Sequence, residues 1–78
     1  MSTGVPIAEF VAARRELPPP TMRRLIRTTA GASLELLAVQ FDPPVTRHAV
    51  MHWERGTRYP RPRHLVQYME ILRQLQGR

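Results

Sequence analysis

The sequence contains no cysteine and no lysine, and it sets only six acidic residues against twelve arginines. Without cysteine, neither a disulfide nor a thiolate zinc site can staple the fold, so a core has to come from unaided packing. No apolar run approaches the roughly 20 residues of a membrane span, and no signal-peptide hydrophobic stretch opens the chain. A soluble, cytoplasmic protein is therefore expected. No window alternates apolar and polar residues like a strand, and no internal repeat is visible. Glycine-rich phosphate loops and nucleophile-elbow serines are also missing and acids are few, so the chain is not expected to be an enzyme.

What is present is enough for one domain: 78 residues, 42% of them apolar, with a net charge of +6. That apolar fraction suits one modest core and is too high for a wholly disordered chain. Codon bias in a GC-rich genome is a plain source of all-arginine basicity, although the guanidinium fork also matches phosphate and guanine as an ammonium does not. Position says more than type. Residues 1–42 hold five arginines against four acids, net +1, whereas residues 43–78 hold seven against two, net +5. A basic surface in the second half favours a polyanionic partner such as nucleic acid.

Prolines cut the chain into segments. After a short frayed start at 1–5, "PIAEFVAARREL" (6–17) reads as an amphipathic helix opened by Pro6, with Ile7, Phe10, Val11 and Leu17 as its stripe. "PPP" (18–20) ends it. "TMRRLIRTTAG" (21–31) is the next helix, with Met22, Leu25, Ile26 and Thr29 expected inside and Gly31 as the stop. Ser33 caps "LELLAVQF", in which Leu34, Leu37, Ala38 and Phe41 recur at helical spacing. "DPP" (42–44) forces a turn. Thr46 caps a short helix to Arg55, closed by Gly56, and "TRYPR" (57–61) is a basic connector. Pro62 opens a last helix with Leu65, Met69, Leu72 and Leu75 near one face. The expected fold class is all-α, a compact bundle of about five short helices.

The stretch "TRHAVMHWERG" (46–56) carries the most chemistry. On a helix turning about 100° per residue, Arg47, His48, Met51, His52 and Arg55 share an arc of about 140°. Ala49, Val50 and Trp53 lie opposite, with Glu54 at the boundary. So short a helix needs its apolar side docked on neighbours, which leaves the polar face outward. Histidines at i and i+4 can share a cation, but a third ligand is normally required, and "HAVMH" lacks the glutamate of a metalloprotease helix. Neither a metal nor another cofactor is expected. The bland alternative is that both histidines sit on a merely solvated face.

The order "LIRTTAGASLELLAVQF…VTRHAVMHWERGTRYPRP" resembles the lambda-repressor-like (Cro/C1-type, XRE) helix-turn-helix family. The matching pieces are Arg27 four residues before Gly31, Ser33 opening the second helix, Leu37-Ala38, Val45, Thr46, Val50, and "WERG" with a proline four residues after its glycine. The match covers residues 21 to about 75. The resemblance divides the chain into an N-terminal extension (1–20) and a helix-turn-helix DNA-binding domain (21–78). It places residues 46–55 in the major groove of double-stranded DNA, with Arg47, His48 and His52 reading base edges. Ser33, Thr46, Arg55, Arg58 and Arg61 would meet the backbone or the adjacent minor groove, supplying affinity rather than sequence choice. Arg27 and Glu54 would form an internal ion pair. Two departures stand out: the turn "FDPPV" is two residues longer than usual, and Leu34 replaces a common phosphate-binding glutamine.

The function implied is sequence-specific DNA binding by a transcriptional repressor of phage or mobile-element type, acting as a homodimer that forms through a terminal helix or only on DNA. Tighter binding at lower pH is expected if His48 or His52 lies near phosphate. The alternative is a protein-interaction module, an antitoxin or transcription cofactor, using residues 1–20 and a second apolar strip at Val66 and Ile71. No small-molecule ligand or membrane partner is expected.

Overall fold

In a computed structural model that describes residues 5–77, prolines and capping residues divide the chain into five helices, with no strand among the described residues. They are α1 (Ile7–Glu16), α2 (Pro20–Thr29), α3 (Leu34–Val39), α4 (Arg47–Arg55) and α5 (Pro62–Leu75). The frayed start expected at 1–5 lies outside the described residues except for Val5. Pro20 forms part of the first turn of α2 instead of the connector, a position where its missing N–H costs nothing. Gly31 sits at φ 78°, and the bonds Ala32 N–H to Arg27 O (3.1 Å) and Gly31 N–H to Thr28 O (3.0 Å) close α2 as a Schellman motif. α3 is shorter than expected and stops before Gln40 and Phe41.

Three helices meet around an aromatic cluster. Phe41, just beyond α3, packs edge-on against Trp53 of α4 (5.3 Å) and Tyr68 of α5 (5.7 Å), and all three are buried. Leu37, Ala38, Val50, Ile71 and Leu72 complete this core with Ile26 of α2. On α5 the buried positions are Leu65, Tyr68, Ile71 and Leu72, whereas the expected Met69 and Leu75 are half-buried.

Two expected stripes are corrected. On α2, Met22, Leu25 and Thr29 are exposed, and the buried face is Arg23, Ile26 and Arg27. Both arginines reach carbonyl or carboxylate acceptors with their terminal nitrogens, although the buried Nε of Arg23 meets none among the described residues, so mostly paired polar groups displace available apolar ones. Arg23 donates to Pro18 O (2.7 Å) and Trp53 O (2.8 Å), tying the proline connector to the end of α4. On α1, Ile7 is 78% exposed and Val11 faces outward, while Ala13 is buried and Phe10 and Leu17 are half-buried. The small Ala13 lets α1 lie close along α5, and Glu16 locks the pair by accepting from Arg73 at 2.7 Å. The described part of the 1–20 extension is thus built into the same bundle. Val66 lines the α1–α5 groove and Ile71 is core, so neither forms the free strip expected of a docking module.

The long turn before α4 is anchored rather than loose. Gln67 of α5 accepts from Asp42 N–H and donates to Asp42 O, both at 2.9 Å. The His64 ring lies 3.0 Å from Pro43 O, and Val45 N–H reaches back to Ala38 O at 3.1 Å. These bonds fix where α4 begins.

Candidate nucleic-acid interface

α4 starts and stops on its own sequence signals. Thr46 Oγ1 accepts from Ala49 N–H (3.1 Å), satisfying one of the free donors of the first turn. At the other end Gly56 adopts φ 76°, which lets Thr57 N–H return to His52 O at 3.0 Å. Ser33 caps α3 in the same way, accepting from Leu36 N–H at 3.0 Å. Both capping residues are exposed.

The inner side of α4 is held by more than apolar contact. Val50, Trp53 and Glu54 are buried and Ala49 is half-buried. Arg27 donates from Nε to Glu54 Oε2 (2.6 Å) and from Nη2 to Oε1 (3.0 Å), a two-bonded ion pair joining α2 to α4. Its third bond, Nη1 to Ala32 O at 2.8 Å, meets a carbonyl just past α2. The hydrogen bond to Glu54 holds the Arg27 guanidinium above its usual value, against the opposing effect of burial. Glu54, expected at the helix boundary, is therefore an inward residue, only 6% exposed.

Arg47, His48 and Arg55 are exposed on the opposite side of α4, and His52 is half-buried. Met51, expected outward with them, is half-buried and lines a groove between α2 and α4 with Leu34 and Leu25. Arg47 gives one N–H, from Nη1, to Glu35 Oε2 at 3.1 Å. His52 Nδ1 lies 2.8 Å from Thr57 Oγ1. Arg58 is exposed in the connector, and Arg61 is exposed where it caps α5.

Sequence reasoning missed three participants. Arg24 lines the α2–α4 groove, of about 810 Å³, together with Arg55, and so extends the basic surface onto α2. It shares a helix with Arg23 and Arg27, yet those two are buried and Arg24 is exposed. Helical phase could have separated them only with the buried face known. Glu35 and Thr57 were missed because a contact across a turn leaves no periodic signal. His64 is structural: its ring stacks edge-on with Phe41 at 5.5 Å. Among the described residues no three His, Asp or Glu side chains cluster as metal ligands would, and no helix is long and apolar enough to cross a membrane. No family model, curated protein or solved structure matches this chain.

Proposed function

We propose that the chain binds double-stranded DNA in a sequence-selective way, as a small transcriptional regulator of repressor type that inserts α4 in the major groove. The observation that carries this reading is the division of α4. Its inner side is clamped by the Arg27–Glu54 pair and the Trp53 cluster, while Arg47, His48 and Arg55 are presented outward. A helix held rigidly by one face and offering arginine and histidine on the other suits base-edge contact. Arg47, His48 and His52 read bases. Arg55, Arg58 and Arg61 neutralise phosphates, and the hydroxyls of Ser33 and Thr46 approach the backbone beside them. The role is one of binding, not catalysis, and it is exercised in the compartment that holds the DNA. Two copies on one duplex would read half-sites about one helical turn apart, 10–10.5 base pairs.

Titration of a panel of duplexes against salt and variants tests this. Affinity should fall steeply with salt, and Arg47→Ala should relax base discrimination. Arg61→Ala should weaken all sequences about equally and lower the salt slope by about 1. Unchanged discrimination in Arg47→Ala refutes α4 as the reading helix. The second reading, a protein-interaction module, draws on the apolar side chains left outward, Ile7 and Val11 on α1 and Leu36 and Val39 on α3.

A further inference from the structure

We propose that Glu35 and Thr57, neither of them a reader, determine which bases α4 selects by fixing the orientation of Arg47 and the tautomer of His52. This rests on the reading of α4 as a DNA-binding helix. Of the three polar side chains expected to reach base edges, two are held by partners outside α4. Glu35, in the first turn of α3, accepts from Arg47 Nη1 at 3.1 Å. Thr57 comes back over the last turn of α4 because Gly56 turns the chain left-handed there, and its Oγ1 stands 2.8 Å from His52 Nδ1.

The two contacts do different chemistry. Glu35 engages only Nη1, so the Nη2 and Nε hydrogens of Arg47 remain available as the fork that matches guanine O6 and N7. The carboxylate also offsets the charge of Arg47, which weakens its attraction to phosphates at arbitrary positions on a duplex. An arginine so held gives up indiscriminate affinity and is already ordered for one base edge.

Thr57 has a single hydroxyl proton and two neighbours, His52 Nδ1 at 2.8 Å and His52 O at 3.3 Å. Both contacts are satisfied together only when the hydroxyl donates to the carbonyl and accepts from Nδ1–H. The neutral ring then carries its proton on Nδ1 and leaves Nε2, on the far side of the ring from Thr57, as a bare acceptor. An acceptor there pairs with the amino groups of adenine N6 or cytosine N4, not with the acceptor edge of guanine. This reverses the donor role that an unassigned histidine suggests.

In-vitro selection from random duplexes at about pH 8, above the range in which histidines ordinarily titrate, tests both halves. It would use the parent chain, Glu35→Gln, Thr57→Val and Thr57→Ser. Both sites are exposed, so thermal unfolding should be little changed in all three variants. Glu35→Gln should bind unrelated DNA more tightly yet lose at least about fivefold of its guanine preference at one position, out of the roughly 5- to 150-fold that a bidentate arginine contact supplies. Opposite movements of affinity and selectivity are what a merely structural glutamate would not produce. Thr57→Val should abolish an adenine or cytosine preference at a second position, and Thr57→Ser should retain it. Guanine preferred at that second position in the parent overturns the tautomer assignment. Unchanged preferences in Glu35→Gln and Thr57→Val overturn the proposal while leaving DNA reading by α4 intact. A parent that enriches no sequence at all removes the underlying reading with it.

Discussion

At the scale of single residues, two buried polar groups behave in opposite ways, one paired and one not. Glu54 and Arg27 satisfy one another with two hydrogen bonds at side-chain exposures of 4% and 10%. Removing one partner of such a pair strands the other charge away from water, so Glu54→Gln should cost about 3 kcal/mol, measurable as a lower urea midpoint at unchanged slope. Tyr68 is the converse. Its hydroxyl is fully buried and makes no well-formed hydrogen bond among the described residues, with only the Arg23 guanidinium nearby. Tyr68→Phe should therefore be neutral or raise stability by up to about 1 kcal/mol. Burial also pushes the Tyr68 hydroxyl up to about 12, an effect only partly offset by the Arg23 charge beside it. Above the ordinary tyrosine value of about 10, the unfolded chain releases a proton that the folded one keeps. Stability should thus fall as pH rises from about 10 to about 12, and in Tyr68→Phe the fall should be shallower. An equal alkaline decline in both proteins would remove Tyr68 as its source.

At the scale of elements, the ends of α2 and α4 are set by the same device and differ in their surroundings. A Cβ on Gly31 (φ 78°) would meet nothing within 4 Å, whereas one on Gly56 (φ 76°) would lie 3.3 Å from Pro20 Cγ. Gly31→Ala should cost about 1 kcal/mol, the strain of the left-handed conformation alone. Gly56→Ala should cost more, because it also pushes α4 away from the start of α2. Thermal denaturation of the two variants compares them directly, and equal losses would mean that Pro20 yields freely.

Caps and breakers were legible in the sequence because they act locally: Ser33, Thr46, Gly31, Gly56 and the prolines each set an end from their own backbone chemistry. Which face of a helix turns inward was less legible. In α2 the stripe of Met22, Leu25 and Thr29 lost to Arg23 and Arg27, whose burial depends on acceptors supplied by Trp53, Ala32 and Glu54 elsewhere in the chain. Only the family resemblance pointed to Arg27 and Glu54 as partners, and nothing pointed to Arg23. On α4 the division into faces was readable from angular position, since Val50 and Trp53 lie opposite Arg47 and His48. The bonds from Glu35 and Thr57 cross a turn and leave no trace in periodicity.

At the scale of the whole molecule, charge and fold combine in a way neither does alone. Of the net +5 of residues 43–78, the arginines among the described residues lie on α4, the connector and α5, and the fold adds Arg24 from α2 beside Arg55. Two acidic residues elsewhere are drawn into pairs, Glu16 with Arg73 and Asp42 with Arg63. The outcome is a bundle whose packed side holds the inner face of α4 and whose basic side presents the outer one. If this side reads DNA sequence, in-vitro selection of the parent chain from random duplex DNA will show it. A defined motif containing guanine should be enriched, with any repeat of that motif spaced by about 10–10.5 base pairs. Recovery of DNA that is abolished by salt but enriches no motif would contradict sequence reading by this side.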